Sequence, residues 1–177
     1  IMKLIIQIPC LNEEANIAAT LKDLPRSIDG IDKIEVLIID DGSTDNTIDK
    51  ALKNGATHFI SHTNNKGLAH AFSSGLSESL RLNADIIVNT DADNQYQGRF
   101  IKELVKPILN GESEIVIGVR DIDSIEEFSF SKKILQKFGS WVVRKVSGTS
   151  VEDATSGFRA YSKDAALKLN KFNEYTY

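Results

Sequence analysis

Two aspartates one residue apart, Asp91-Ala92-Asp93, follow closely on the apolar run Ile86-Ile87-Val88. A carboxylate beside a packed core costs free energy unless a cation or hydrogen-bond donors stand opposite it. Paired hard oxygens at this spacing suit Mg²⁺ or Mn²⁺, metals that commonly arrive with a phosphate group. The tripeptide alone is common in loops, so its meaning depends on its company. A second pair of acids, Asp40-Asp41, ends the run Glu35-Val36-Leu37-Ile38-Ile39 and leads into Gly42-Ser43-Thr44-Asp45. Gly42 and Ser43 can make a turn and a helix cap without any ligand, but that leaves two adjacent acids at a strand end unexplained. An acid there can accept hydrogen bonds from a base or a ribose. His58, His62 and His70 are weaker candidates, because two flank an expected strand and one lies on an expected helix, as surface histidines commonly do.

These acids need elements to position them, and the hydrophobic pattern supplies an alternating series. Leu4 to Ile8 reads as a strand ended by Pro9, after which Asn12 can cap a helix carrying Ile17, Leu21 and Leu24. The Glu35–Ile39 strand is followed by a helix capped by Ser43, Thr44 or Asp45, burying Ile48, Ala51 and Leu52 and stopping near Gly55. His58-Phe59-Ile60 makes a short strand, and Leu68, Phe72, Leu76 and Leu80 then line one helix face. The Ile86 strand, a helix with Phe100, Leu104 and Leu109, and a strand over Glu114 to Gly118 complete the series. Short β-branched runs alternating with amphipathic helices predict an α/β fold with a parallel sheet covered on both faces. In such sheets ligands bind outside the carboxyl ends of the strands, so the polar clusters after the first, second, fourth and fifth strands form one expected site.

The 177 residues suit one domain, and a hydrophobic fraction of 41% with 26% charged residues is that of an ordinary globular chain. A net charge of −4 argues against a general nucleic-acid binder. The single cysteine, Cys10, excludes an internal disulfide and fits a reducing compartment. No apolar run has the length of a membrane span, and no signal peptide is visible. Ile1 precedes Met2 as an added first residue would, and Asn173 to Tyr177 carries no stop signal, so the expected domain over 1–177 is truncated at its C-terminal end.

Taken in order, Ile8-Pro9-Cys10-Leu11-Asn12-Glu13-Glu14, Asp40-Asp41-Gly42-Ser43, Asn65-Lys66-Gly67, Asp91-Ala92-Asp93 and Gly118-Val119-Arg120 resemble the motifs of family 2 glycosyltransferases of GT-A fold. Asp153 with Thr155-Ser156-Gly157-Phe158-Arg159 is similar to the branch holding dolichyl-phosphate mannose synthases and polyprenyl-phosphate glycosyltransferases. The resemblance covers nearly the whole chain. It implies a Rossmann-like three-layer fold with a mostly parallel central sheet. It also implies inverting transfer of a hexose from a GDP-mannose or UDP-glucose type of donor to a polyprenyl or dolichyl phosphate. Pro9, Leu11 and Glu13 would border base and ribose, with weaker stacking because the family usually has tyrosine at Leu11. Asp40 and Asp41 fall in the base-binding motif, with Asp41 holding the base. Asp91, Ala92, Asp93 and Gln95 match the donor-diphosphate segment, with Asp91, Asp93 and Gln95 as ligands to Mg²⁺ or Mn²⁺. Lys66 and Arg120 would offset phosphate charge, although Arg120 can equally pair with Asp121 or Asp123 at the surface.

The chain departs from many relatives after the acidic motif, reading Gln95-Tyr96-Gln97-Gly98-Arg99 where they have Gln-His-Pro-Pro-Glu. Residues 128–148 interleave Phe130, Ile134, Phe138, Trp141 and Val142 with Lys132, Lys133, Lys137, Arg144 and Lys145. That is the pattern of a basic amphipathic helix at a membrane surface or of an ordinary core-facing helix, and the resemblance favours the membrane. Asp93, Asp153 and Arg159 are the candidate catalytic residues. Arg159 lies in the motif resembling an acceptor-phosphate site, while Asp153 would orient it or act as a base towards an alcohol. The implied location is the cytoplasmic face of a membrane, peripheral or anchored through a segment absent from this chain, with homo-oligomerisation open. A saccharide or other alcohol acceptor is the alternative within the family. A receiver domain fits poorly, since its acidic pair follows the first strand. A nucleotidyltransferase lacks support because no glycine-rich phosphate loop follows the first strand. A non-catalytic nucleotide-sugar-binding module is the remaining alternative.

Overall fold

The computed structural model describes residues 1–93, 97–118 and 156–174. Strands β1 (Lys3–Cys10), β2 (Lys33–Asp40), β3 (His58–Ser61) and β4 (Ile86–Asn89) alternate with helices α1 (Ile17–Asp23), α2 (Thr47–Lys53) and α3 (Leu68–Arg81). A 3-10 turn over Gly98–Phe100 runs into α4 (Ile101–Leu109), followed by β5 (Ile115–Ile117), β6 (Arg159–Ser162) and α5 (Lys163–Glu174). The sheet order is β3-β2-β1-β4-β6-β5. β1 pairs in parallel with β2 and β4, and β2 with β3. The order reverses beside β1, which creates the crevice where α/β sheets bind ligands.

Because strand side chains alternate between faces, each central strand feeds two cores. Leu4, Ile6, Ile8, Ile38 and Val88 pack with Ile17 and Leu21 of α1, Ala51 of α2 and Ile101, Leu104 and Val105 of α4. Ile5, Leu37, Ile39 and Ile87 pack on the other face with Ala71 and Leu76 of α3 and Ala166 of α5. Three layers result, as expected from the continuous apolar strands.

Several local expectations are corrected. β6 and α5 add to the expected series, since Arg-Ala-Tyr-Ser is too short and too polar to declare a strand. β6 inserts between β4 and β5 and runs antiparallel to both, which gives the mostly parallel sheet that the resemblance implies. β1 continues through Pro9 to Cys10 because its parallel pairing with β2 extends that far. α1 begins at Ile17 after Asn16, without a side-chain cap, and Asn12 lies earlier in the loop. In α2 the buried positions are Thr47 and Ala51, while Leu52 is exposed. Leu68 and Phe100 are also largely exposed, the latter beneath the Arg99 guanidinium. No described helix is long and apolar enough to cross a membrane. The 128–148 segment, Gln95, Arg120 and Asp153 lie outside the described residues.

Candidate nucleotide-sugar site

The loops after β1 and β2 hold one another. Asn12 has a positive φ of 55°, a conformation asparagine tolerates better than most residues. Its backbone N–H donates to Ser43 Oγ at 2.8 Å, and its Oδ1 accepts the Thr44 N–H at 2.8 Å. Glu13 and Glu14 N–H groups donate to Thr47 Oγ1 and Asp45 Oδ2. Gly42 (φ 87°) lies so close to Asn64 that an added Cβ would stand 2.8 Å from its carbonyl carbon. Glycine is needed there for conformation and for space. The residues read as helix caps therefore work largely as ties between loops.

The paired acids Asp40 and Asp41 diverge. Asp40 is buried and its Oδ1 accepts the Ser43 N–H, so it supports the turn and does not line the cleft described below. Asp41 lines that cleft. Its Oδ1 accepts from His62 Nδ1 at 2.7 Å and from the Lys66 N–H at 3.0 Å, and its Oδ2 accepts the Gly67 N–H at 2.8 Å. Burial alone would raise the Asp41 carboxyl, but the bonds from His62, Lys66 and Gly67 outweigh it and hold the group below the usual aspartate value. His62, in a position where surface histidines are common, instead packs against Asp41, its side chain only 6% exposed. Its place after β3 was legible, but nothing in its spacing pointed to Asp41. Of Lys66, the backbone N–H reaches Asp41, while the residue is exposed and its ammonium is not among the cleft-lining groups.

The second acidic pair sits at the end of β4. The Ala92 carbonyl accepts from buried Thr20 Oγ1 at 2.7 Å, tying the turn to α1. Asp91 is half-buried and Asp93 exposed. Antiparallel pairing of β6 sets Arg159 opposite Asn89, which brings Ser156 and Gly157 to the same sheet edge. An added Cβ at Gly157 would lie 2.9 Å from each carboxylate oxygen of Asp91. A buried amide chain fixes this approach: Gln7 Nε2 donates to Asn89 Oδ1 at 2.9 Å, and Asn89 Nδ2 donates to the Gly157 carbonyl at 2.8 Å. Arg159 Nε donates to the Ser156 carbonyl at 2.7 Å. Gln7 and Asn89 were missed as site residues, although a glutamine inside Leu4-Ile5-Ile6-Gln7-Ile8 was a visible signal.

Two hollows meet here. A cleft of about 300 Å³ is lined by Pro9, Leu11, Glu13, Asp41, Asn65, Gly67, Asp91, Ala92 and Asp93, among others. Beside it, a hollow of about 630 Å³ is walled by Leu68, Ala69, Phe72, Tyr161 and Leu169, with Asp91, Ser156 and Arg159 at its polar side. Asp91 and Leu68 belong to both. Cys10 also lines the cleft; burial, with Asp40 and Glu13 adding to it, pushes its thiol up to about 12, leaving it protonated and unreactive at neutral pH. Among the described residues no group of three or more His, Cys, Asp or Glu side chains is placed to hold a metal. Asp91 and Asp93 do line one cleft and offer hard oxygens, a donor set suited to a cation that completes its shell with phosphate and water.

The loops after β1 and β2 and the acids after β4 thus share one sheet edge. The chain is 33% identical over 183 residues to the UDP-N-acetylglucosamine–dolichyl-phosphate N-acetylglucosaminyltransferase of Methanococcus voltae, covering 93% of this chain and 71% of that protein. It is 30% identical over 179 residues to the dolichol-phosphate mannosyltransferase of Pyrococcus furiosus, covering 96% of this chain and 49% of that one. Glucosyl-3-phosphoglycerate synthase from Mycobacterium tuberculosis, solved with Mn²⁺, UDP-glucose and phosphoglyceric acid, superposes with a TM-score of 0.71 at 22% identity. That match covers 92% of this chain and 57% of the solved one, and it establishes the GT-A fold. With the family model described as glycosyl transferase family 2 matching residues 5–169, from the first buried strand to the helix after Arg159, the chain belongs to that family.

Proposed function

We propose that this domain transfers a hexose, with inversion, from a nucleotide-diphosphate sugar to a polyprenyl or dolichyl phosphate at a membrane surface. The observation that carries this reading is the junction of the two hollows at Asp91. One is a polar cleft suited to a nucleotide diphosphate. The other is wide, largely apolar and edged by Arg159, suited to a phosphate attached to a lipid chain. Relatives named for transfer to dolichyl phosphate support the same acceptor.

Asp41 would bind the base, with Pro9, Leu11 and Glu13 beside the nucleoside. Asp91 and Asp93 would hold Mg²⁺ or Mn²⁺, with Gln95 as an expected further ligand; a cation held there would supply positive charge opposite the donor diphosphate. Arg159 would hold the acceptor phosphate. Such a monophosphate has a second pKa near ~6, so its oxygen is already anionic at neutral pH and needs no general base. That oxygen forms the new bond to the anomeric carbon from one side. The bond to the donor's diphosphate oxygen breaks on the other, and the nucleoside diphosphate leaves with the electron pair. With such an acceptor, Asp153 would serve to orient Arg159 and not as a base.

Calorimetric titration with UDP, GDP and their sugars, with and without Mn²⁺, tests the donor half. Binding should depend on the metal and fall by about ten-fold or more in Asp93→Ala. Undiminished, metal-independent binding overturns it. Transfer to a polyprenyl phosphate in vesicles, but not to the corresponding alcohol, is expected for the acceptor half. Preference for an alcohol or saccharide overturns that half.

A further inference from the structure

The hydrogen bonds around Asp41 carry a conclusion about which base it can hold. A carboxylate has about four acceptor positions. Three are taken: two on Oδ1, by His62 Nδ1 and the Lys66 N–H, and one on Oδ2, by the Gly67 N–H. Since the carboxylate only accepts, His62 must carry its proton on Nδ1, and its Nε2 sits 3.1 Å from Ser74 Oγ. His62 is thus held at both ring nitrogens, and its own position fixes the carboxylate. One acceptor position remains, on a group that lines the cleft. Asn65 lines it too; its Oδ1 accepts the Gly67 N–H at 2.9 Å, and its NH₂ donates in none of the hydrogen bonds among the described residues.

We infer that this site is built for a base with a single ring N–H between two carbonyls, and therefore that the donor is a uridine nucleotide, with His62 as the residue positioning Asp41 for that choice. The inference rests on the proposed role of Asp41 in binding the base. Uracil offers one donor, N3–H, for the remaining acceptor position, and its flanking oxygens suit the Asn65 NH₂. Guanine offers N1–H and an adjacent exocyclic NH₂, two donors for the one acceptor position left on the Asp41 carboxylate. Cytosine turns a ring-nitrogen lone pair towards the carboxylate. A site built around hydrogen bonds rejects a ligand that leaves them unmade.

Titration calorimetry of the protein with UDP, CDP and GDP in the presence of Mn²⁺ tests this directly. UDP should bind at least about ten-fold more tightly than either competitor. CDP controls for ring size. His62→Ala frees an acceptor position and loosens the carboxylate, so UDP affinity should drop and the UDP-to-GDP ratio should shrink. His62→Asn, which restores an N–H donor, should recover most of the ratio. GDP or CDP binding as tightly as UDP overturns the base assignment while leaving the proposed transferase intact. A UDP preference unchanged in His62→Ala overturns the role of His62. Binding of none of the three nucleotides overturns both this inference and the proposed function.

Discussion

At the scale of single residues, the site depends on how closely backbone can approach the acids. Gly157 stands against Asp91, and a methyl group there would lie 2.9 Å from both carboxylate oxygens, well inside ordinary contact. Those oxygens belong to the side chain proposed to hold the cation, so the carboxylate must turn away to accommodate the methyl. Gly157→Ala should weaken Mn²⁺ binding in the presence of UDP by about ten-fold or more, read by calorimetry. The circular dichroism spectrum should stay native, because the strain is relieved at a half-buried side chain and not in a strand. Unchanged metal affinity would show that Asp91 does not coordinate through the face that Gly157 presses.

At the scale of elements, α3 carries the loop that bonds Asp41 and must lie flat on the sheet. Gly75 permits this: a Cβ would come within 2.8 Å of Ile39 Cδ1 and 2.9 Å of Gln7 Oε1. Replacing a helical glycine by alanine stabilises a helix by up to ~1 kcal/mol, whereas overpacking a filled core costs ~1–3 kcal/mol. Overpacking should win here, because both contacted residues are fully buried. Gly75→Ala is expected to destabilise the protein by roughly 1–2 kcal/mol in urea unfolding. It should also disturb Gln7 at the head of the amide chain to Gly157. A rise in stability would mean that α3 can lift without cost.

For the whole molecule, the two ends of the sheet have different tasks. The carboxyl edge holds the site, while the opposite end is held by Glu35, bonded to Lys3 at 3.2 Å, Lys33 at 2.5 Å and His58 at 3.1 Å. Burial would raise the Glu35 carboxyl, yet Lys33, His58 and Lys3 outweigh it and hold it at about 2. A carboxyl lowered on folding stabilises the protein above its ordinary value of 4.5 and loses that contribution as pH falls towards about 2. The full difference is worth roughly 3 kcal/mol. Urea unfolding across this window should therefore show a decline that Glu35→Gln flattens, with UDP affinity at neutral pH unchanged. A wild-type decline equal to that of the variant would remove Glu35 as its cause. The apolar runs alone determined the α/β class, the first five strands and the edge on which Asp41, Asp91 and Asp93 gather, since strand periodicity and parallel connections leave few other arrangements. Local pattern could not determine the antiparallel insertion of Arg159–Ser162, the burial of His62 or the amide chain through Gln7 and Asn89. Each of these depends on contacts between segments far apart in the chain, and only tertiary packing decides which polar groups meet.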